Sequence, residues 1–319
     1  MQNYFNENYR PKFTGHETFH LRYGWLKKAF DAVEQSNSGE WAEKIFTAHS
    51  AIARLGVGKN MVASIRHWAL SCGIIASNDD ALSGYAATDL GNFIFAPQFG
   101  VDPYLEKPTS LWLLHWHLVT QSKKTTFLWV FNEYSEAQVE REQALIALET
   151  VIRRREWSGV AAETLRKDIN NLIGTYSLRQ ISKRLSVEDS LSSPFTELGL
   201  MKQTASNAFA FSWKEKTTLS DAMFAYSLMD FWKNTSPATQ TLSFEALIHE
   251  PFGPGRIFRM TVDELSERVS KLSDTTNGKI RLSNTAGMNQ ILRSTTKFDE
   301  DPIDRLKADY MASTKNKAA

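Results

Sequence analysis

Hydrophobic and polar positions alternate most regularly between residues 48 and 75, where they predict two helices joined by a tight turn. The first helix is expected to end at Gly56, because a residue without a Cβ adopts the left-handed conformation at little cost. Asn60 is a favourable N-cap residue for the second helix. Apolar side chains at helical spacing then form one buried stripe, made of Met61, Ile65, Trp68 and Cys72.

The opposite face of the second helix is polar and predicts a DNA-binding surface. Short hydrogen-bonding side chains and two flanking cations lie there: Asn60, Ser64, His67 and Ser71, with Lys59 and Arg66. Such a face suits a helix that lies in the major groove of DNA. A plain hairpin of two packed helices gives the same pattern, so the pattern alone leaves both interpretations open.

Turn-forming residues follow the second helix and predict a short β-hairpin. They occur at Asn78-Asp79-Asp80 and at Ser83-Gly84. Two helices followed by a small hairpin form a winged helix-turn-helix. This order of elements therefore favours DNA binding over the plain helical hairpin.

The rest of the chain predicts mostly helices, with short strands near residues 198–213 and 279–282. We expect a mainly α protein with small β-hairpins, in which winged helix-turn-helix units are joined by aromatic-rich helices. Three domains are predicted: an N-terminal winged-helix DNA-binding domain with a helical extension (1–135), a middle helical, winged-helix-like domain (136–214) and a C-terminal winged-helix-like domain (215–319). Its polar tail, after about Asp301, is expected to fray.

Composition and charge narrow the class of protein. A hydrophobic content of 42% and nine tryptophans indicate a folded protein with substantial cores. The net charge of +1 gives no global basic excess, so DNA binding must depend on local patches. No apolar run approaches ~18 residues and no signal peptide opens the chain, which predicts a cytoplasmic protein without a membrane span.

Three further basic segments are candidate phosphate contacts: Arg153, Arg154 and Arg155; Arg256 with Arg259; and Lys123 with Lys124. The arginine run ends a charged helix and is either a solvated face or a contact to the DNA backbone. Arg256 lies in a glycine-bearing loop that suits phosphate or a partner protein. The two lysines are expected in a solvated loop or at a phosphate.

A His-Glu-x-x-His pattern occurs at His16, Glu17 and His20. In zinc proteases this spacing places two imidazoles on one face of a long helix, with the glutamate as general base. Glycines flank the pattern here, and no third ligand follows at the expected distance, so zinc is not expected. The alternative is a capping box between Thr14 and Glu17 at the start of a helix.

Hydrolysis of DNA with Mg²⁺ or Mn²⁺ requires clustered carboxylates and a base or cation near the phosphate. No nuclease signature with a recognisable spacing occurs, and the metal ligands stay unassigned. The best catalytic candidates combine an acid/base, a metal ligand and a cation: His16, Glu17, Arg22 and Tyr23. The alternative is that this segment braces the first helix. A Walker A loop is absent, so no nucleotide cofactor is expected.

Three blocks of sequence together resemble one family: Gly15-His-Glu-Thr-Phe-His-Leu-Arg-Tyr-Gly-Trp-Leu-Lys-Lys28, Arg54-Leu-Gly-Val-Gly-Lys-Asn-Met-Val-Ala-Ser-Ile-Arg-His-Trp68 and Asp102-Pro-Tyr-Leu-Glu-Lys-Pro-Thr-Ser-Leu-Trp-Leu-Leu-His-Trp116. They resemble the SspB-like family, whose members are DNA-nicking components of a single-strand DNA phosphorothioation system. This family was long catalogued as being of unknown function. The resemblance is strongest in the N-terminal domain.

This resemblance implies an endonuclease of a bacterial system for sulfur modification of DNA and for phage defence. It implies that the protein binds double-stranded DNA and nicks one strand so that sulfur enters the backbone. The implied partners are a cysteine desulfurase, an ATPase and a sulfur-activating enzyme. The alternative is a non-catalytic winged-helix adaptor or transcription regulator that recruits sulfur-transfer enzymes. The oligomeric state stays open, a dimer included.

Overall fold

The structure is a computed structural model that describes residues 4–36, 42–43, 45–47, 49–78, 84–177, 192–205, 208–285, 288–295 and 302–315. Helices predominate and the strands are short and antiparallel, which confirms a mainly α protein with small β elements. The predicted turn residues Asp79, Asp80 and Ser83 lie outside the described residues. Within the described part, none of the helices has the length and apolar character that crossing a membrane requires.

Backbone contacts divide the chain into two compact units. The larger unit comprises Gln2–Val130 and Ser135–Ser212. The smaller unit is built mainly from Phe131–Tyr134 and Trp213–Ala319. The predicted domains 1–135 and 136–214 therefore fall almost entirely in the larger unit, and the predicted domain 215–319 falls in the smaller one.

The larger unit begins with a set of helices and one small sheet. In chain order these are α1 (Trp25–Glu34), β1 (Ala42–Glu43), α2 (Ser50–Leu55), α3 (Lys59–Ser71), β2 (Ile75–Ser77), β3 (Gly84–Ala87), α4 (Asp89–Phe95), α5 (Pro108–Thr120) and α6 (Thr125–Asn132). The two helices predicted between residues 48 and 75 are present as α2 and α3, and Gly56 ends α2 with a left-handed φ of 65°. Asn60 is not the N-cap of α3, because Gly58 holds that position.

The remainder of the larger unit contains a second small sheet. Its elements are β4 (Gln138–Glu140), α7 (Arg141–Arg154), α8 (Ala162–Tyr176), a 3₁₀ helix (Pro194–Leu198), β5 (Met201–Gln203) and β6 (Ala208–Phe211). The two strands predicted near residues 198–213 are thus β5 and β6. The first strand, β4, was not predicted, because three residues next to a helix give too short a pattern.

The smaller unit contains the third sheet and ends in a helix. Its elements are α9 (Asp221–Thr235), β7 (Thr241–Ser243), α10 (Phe244–His249), α11 (Pro254–Ile257), α12 (Val262–Ser270), α13 (Leu272–Thr275), β8 (Ile280–Thr285), β9 (Met288–Arg293) and α14 (Pro302–Lys315). The expectation of a frayed tail was wrong for residues 302–315. Leu306 and Tyr310 of α14 are buried, and this burial stabilises the terminal helix.

The three sheets in the described residues share one topology. Each is antiparallel, with the strand orders β1-β3-β2, β4-β6-β5 and β7-β9-β8. In each sheet helices lie between the first and the second strand, and no helix among the described residues lies between the second and the third. We call the segments 42–87, 138–211 and 241–293 the first, second and third repeats. One repeat lies in each of the three predicted domains.

The buried stripe predicted for α3 is largely confirmed. Ile65, Trp68 and Cys72 are fully buried, whereas Met61 is only partly covered. Helix α1 packs against α3. The core next to these helices is strongly aromatic, and its largest fully buried side chains include Trp112, Trp116, Phe127, Tyr176 and Phe195.

Candidate functional site

The segment that carries the His-Glu-x-x-His pattern is not helical. Residues 15–18 form turns, and Glu17 and Thr18 have left-handed φ values of 46° and 66°. Helix α1 starts only at Trp25, without a side-chain cap at its first turn. The capping box predicted between Thr14 and Glu17 is therefore wrong, and the two histidines of the pattern do not share a helix face.

His16 is buried and held at both ring nitrogens. Its Nδ1 accepts a hydrogen bond from the backbone N–H of Thr18 at 3.0 Å. Its Nε2 lies 3.1 Å from Oδ1 of Asp168, a fully buried carboxylate on α8. Because Nδ1 is occupied as an acceptor, Nε2 carries the proton that is donated to Asp168.

Lys124 completes a buried ion pair with the same carboxylate. Its Nζ lies 3.3 Å from Oδ1 of Asp168 and 3.2 Å from Nε2 of His67 on α3. The ammonium also lies 4.6 Å from the ring centroid of Phe127, a cation–π distance. His16, His67, Lys124 and Asp168 form one polar group within the core, which we call the buried cluster. The expectation that Lys124 is solvated was wrong.

Burial and charge set the protonation of this cluster. Burial lowers the pKa of His67 well below its ordinary value, and the positive charge of Lys124 lowers it further. Burial also lowers the pKa of Lys124, and the Asp168 carboxylate opposes that shift. For Asp168 burial favours the protonated form, but Lys124 and His16 outweigh it and lower the pKa. The geometry is that of an ionised Asp168 beside a neutral His67.

Two residues predicted to contact DNA instead face the 13–20 segment. Ser64 is fully buried, and its hydroxyl donates to the carbonyl of His16 at 2.7 Å. His67 is buried in the cluster. The same segment is held through the carbonyl of Phe19, which accepts from Nε1 of Trp68 and Nδ2 of Asn171. The periodic pattern predicted a solvated face because it does not show that another segment covers it.

The start of α3 does agree with an external binding surface. Lys59 and Asn60 are exposed, and Arg66 is partly exposed about two turns further on. These three side chains belong to the part of the predicted DNA-binding face that remains accessible.

The four catalytic candidates do not form one site. His16 contacts Asp168 in the buried cluster. Arg22 is buried, with its guanidinium 5.3 Å from the ring centroid of Phe19 and 5.4 Å from that of Trp25. The hydroxyl of Tyr23 donates to Glu197. Burial is the main cause that raises the pKa of Tyr23, and this hydrogen bond raises it further. Glu17 is exposed. The four residues are close in sequence, but their side chains have different surroundings and do not combine into one catalytic site.

The arginine run divides into exposed and internal members. Arg153 and Arg154 are exposed at the end of α7. Arg155 instead donates from Nη1 to the carbonyl of Tyr4 at 2.6 Å, and its guanidinium lies 4.4 Å from the centroid of the Tyr4 ring. Arg155 therefore fastens the N-terminal arm, and its contact with DNA stays a prediction.

The second arginine pair lies in the smaller unit. Arg256 is half-buried on α11, and burial lowers its pKa while Glu133 opposes the shift. Arg259 is buried, with its guanidinium 5.6 Å from the Phe131 ring centroid and 5.8 Å from that of Trp213. Burial, aided by the charge of Arg256, lowers the pKa of Arg259 to about 9. Phosphate contact by Arg256 stays a prediction.

Magnesium, the expected cofactor, does not fit the buried cluster. Mg²⁺ prefers oxygen ligands, usually one or two carboxylates together with waters or phosphate. The only carboxylate of the cluster already faces the ammonium of Lys124 and the donor nitrogen of His16. In the part of the chain that the structure describes, no three His, Cys, Asp or Glu side chains are grouped to hold a metal.

Asp168 was missed as a site residue, and Lys124 was predicted as a solvated residue or a phosphate contact rather than as the partner of a buried carboxylate. A signal for Asp168 was present in the sequence, because it falls among Leu165, Ile169 and Leu172 on the apolar face of α8. A charged residue on such a face indicates a buried partner of opposite charge. The identity of that partner could not be predicted, since Lys124 lies in another element.

Comparisons with known proteins find one family and a related fold. The family model described as "Protein of unknown function (DUF4007)" matches residues 13–310. A crystal structure of magnesium ion-bound SspB is 28% identical, with a TM-score of 0.80, and the match covers 93% of this chain and 87% of that one. A second SspB crystal structure has the same identity and coverage and a TM-score of 0.79. No curated protein matches.

Proposed function

This chain belongs to the DUF4007 family, and we propose that it is a DNA-binding component of a bacterial DNA phosphorothioation system. In this proposal it nicks one strand of double-stranded DNA so that sulfur can enter the backbone. A cysteine desulfurase, an ATPase and a sulfur-activating enzyme act with it, and the system serves phage defence. The likeness to SspB over 93% of the chain supports membership of such a system.

The observation that carries the DNA-binding part is the first repeat. Together with α1, which precedes it, the repeat gives the order α1, β1, α2, α3, β2 and β3, and its sheet has the order β1-β3-β2. We propose that this is a winged helix-turn-helix in which α3 is the recognition helix and the β2–β3 hairpin is the wing. The second and third repeats share the strand order, and we propose the same fold for them.

The charge of α3 supports its role. The helix contains no Asp or Glu over Lys59–Ser71, and its first turn presents Lys59 and Asn60 to solvent. Its amino-terminal end therefore offers a cation for phosphate and an amide for a base edge. Arg66 extends the same accessible surface by two turns.

The test of DNA binding uses a pair of matched double variants. Lys59→Glu with Asn60→Ala changes the start of α3, and Lys233→Glu with Asn234→Ala changes the same exposed dipeptide at the end of α9. In a gel shift with duplex DNA at fixed salt, we expect the first variant to bind roughly ten-fold more weakly or worse. We expect the second variant to bind like the unchanged protein. Unchanged affinity of the first variant, or equal losses in both, contradicts the proposal.

Nicking is tested by conversion of supercoiled plasmid to open circle, with Mg²⁺, Mn²⁺ or EDTA. We propose Mg²⁺ or Mn²⁺ as the cofactor, and nicking that depends on the protein and is lost with EDTA is the expected result. The buried cluster does not fit such an ion, so metal-dependent nicking would direct attention to other carboxylates. Intact DNA binding without nicking would favour the non-catalytic adaptor or transcription regulator.

A further inference from the structure

The smaller unit contains a cavity beside α12 that is lined by none of the proposed DNA contacts. Four carboxylates line it, those of Glu215, Asp221, Glu264 and Glu267, together with the cations Arg268 and Lys271. Its volume is about 240 Å³. Small-molecule sites usually have volumes of about 300–1,000 Å³, so this cavity is small for a whole ligand and suits a single inserted side chain.

One carboxylate on the wall of this cavity is buried and only half satisfied. The side chain of Glu264 is 5% exposed. Its Oε1 accepts hydrogen bonds from the backbone N–H of Lys216 at 2.9 Å and from Nε and Nη2 of Arg268 at 3.2 Å. Its Oε2 is buried and has no hydrogen-bond partner among the described residues. Because a buried carboxylate oxygen without a donor is costly, a ligand that supplies a donor there gains most.

Two exposed carboxylates near Glu264 are also available to a ligand. Glu215 lines the cavity, and Asp263 lies four residues before Glu267 on the exposed face of α12. In the part of the chain that the structure describes, neither side chain makes a hydrogen bond or an ion pair. Binding at these two residues therefore breaks no existing contact.

The negative charge of this region exceeds the positive charge beside it. The two cations of the wall, Arg268 and Lys271, are paired with carboxylates of the same wall. The buried residue Lys216 adds a third cation, whose ammonium donates to two backbone carbonyls. The four lining carboxylates and Asp263 exceed these three cations by two charges. The cavity therefore attracts a positively charged group.

The spacing of the acceptors indicates which kind of cation fits. Among the described side chains of His, Cys, Asp and Glu, no three are grouped to hold a metal ion, so an organic cation suits the cavity better. A guanidinium offers five donors in a planar fork and reaches several acceptors at once, whereas an ammonium is a compact point charge. A guanidinium is also more weakly hydrated, which lowers the cost of entering a partly enclosed site.

We propose that the cavity beside α12 receives an arginine side chain from a basic segment of a partner protein. Its guanidinium binds Glu264 and Glu215, and the neighbouring basic residues of the segment lie along Asp263 and the exposed face of α12. Val262, which is 58% exposed at the start of that helix, adds an apolar contact. The inference does not depend on duplex binding by α3, because all of these residues belong to the smaller unit.

Isothermal titration of the full chain at fixed low salt tests the proposal. The probe is the peptide acetyl-Gly-Ser-Lys-Arg-Lys-Ser-Gly-amide, and its partner probe has citrulline, which is neutral and of similar shape, in place of arginine. We expect the arginine peptide to bind at least ~10-fold more tightly, because citrulline loses the charge-assisted hydrogen bonds. Free arginine amide should bind more weakly than the peptide, since it lacks the flanking residues.

The variant for this test is Glu215→Gln with Asp263→Asn, since both side chains are exposed and their change does not disturb the core. We expect roughly ten-fold weaker binding of the arginine peptide. The matched control is Glu250→Gln with Asp274→Asn, which removes two exposed carboxylates of the same unit outside the lining. The control should bind the peptide normally. Duplex binding in a gel shift should be unchanged in both variants.

Four outcomes would overturn the proposal. The first is the absence of binding by the arginine peptide, and the second is equal binding by the citrulline peptide. The third is equal weakening in the variant and in its control, which would indicate nonspecific attraction. The fourth is a small cation that binds as tightly as the peptide: arginine amide would indicate a small-molecule site, and Mg²⁺ a metal site. Loss of duplex binding by the α3 variant leaves peptide binding intact, so the two proposals fail independently.

Discussion

The first and third repeats have the same strand order but opposite charge on corresponding helices. In the first repeat, α3 comes directly before the second strand. In the third repeat, α12 comes before the second strand with only the short α13 between them. Helix α3 contains no acidic residue, whereas α12 contains Asp263, Glu264 and Glu267. A DNA phosphate would be attracted to the first helix and repelled by the second.

The cavities of the two regions differ in the same sense. A cleft of about 630 Å³ beside the C-terminal half of α3 and strand β2 has no Asp or Glu among its described lining residues. A smaller cavity of about 240 Å³ beside α12 is lined by four acidic residues together with Arg268 and Lys271: Glu215, Asp221, Glu264 and Glu267. The comparison teaches that a repeated topology does not transfer a binding function, because the side chains decide which ligand is attracted.

The two regions also compensate a buried cation differently. Arg268 pairs with Glu264 four residues earlier on the same helix, at 3.2 Å, and with the more exposed Asp221. Lys124 pairs with Asp168, which comes from the second repeat. Arg268 therefore has its nearest counter-charge on its own helix, whereas Lys124, which follows the first repeat, depends on a carboxylate 44 residues further along the chain.

The largest expected effect concerns this distant carboxylate. Asp168→Asn leaves the ammonium of Lys124 buried without its counter-charge, and we expect the free energy of unfolding to fall by about 3–5 kcal/mol. Asp221→Asn removes a partner of Arg268 that is 42% exposed, and we expect a loss below about 1 kcal/mol. Urea unfolding followed by tryptophan fluorescence measures both. Equal losses would show that the two ion pairs are equivalent after all.

Gly15→Ala is expected to have the next largest effect, because Gly15 lies against the buried cluster. Its φ is 104°, and an added Cβ would lie 2.6 Å from Nδ1 of His67. We expect a loss of about 2–3 kcal/mol in the free energy of unfolding. Gly24→Ala is the control, since its φ is also positive but no atom lies within 4 Å. A loss of about 1 kcal/mol is expected there, and an identical loss for both glycines would argue against close packing at His67.

A smaller effect is expected for the pH dependence of stability, to which His67 contributes and the exposed His249 of the third repeat does not. Burial lowers the pKa of His67, so below about pH 6.5 the unfolded chain binds a proton that the folded chain does not. The free energy of unfolding should then decrease as the pH falls, by up to about 1.4 kcal/mol per pH unit. His67→Asn should reduce this slope. Replacing His249, which is 72% exposed in the third repeat, should leave it unchanged.

Lys271→Ala in the third repeat should have the smallest effect. Its ammonium pairs with Glu267 on the exposed surface of α12, with both side chains about half exposed. Exposed pairs at this spacing contribute about 0.3–0.5 kcal/mol, so thermal unfolding should shift by little. Duplex binding should not weaken. A clear loss of DNA affinity would instead assign a DNA contact to the acidic region.

Features determined within a few residues could be predicted from the sequence. Gly56 ends α2, Pro108 begins α5, and the Thr88 hydroxyl caps α4 by accepting from the backbone N–H of Gly91. The last helix was missed, although Leu306 and Tyr310 have helical spacing and Pro302 occupies its first turn. The segment is polar in composition, so its narrow apolar stripe was overlooked. Packing of this stripe against the rest of the protein is sufficient to stabilise the helix.

The candidate site could be predicted only in part, because its contacts join distant segments. Lys59 and Asn60 were identified from local spacing and are exposed. Ser64 and His67 have the same periodicity, but the 13–20 segment covers them. No local pattern indicates that His16 will meet Asp168, since their contact depends on how α8 packs rather than on sequence spacing.

The pairing of Lys124 with Asp168 has a consequence for synthesis on the ribosome. The chain emerges from its amino terminus, so α3 and Lys124 leave the exit tunnel before the carboxylate that neutralises the lysine. Until α8 follows, the nascent chain with the first repeat and Lys124 holds an ammonium that it cannot bury favourably. The N-terminal region therefore reaches its final packing late, and a stop codon placed before residue 168 would yield a product that chaperones and proteases recognise as incomplete.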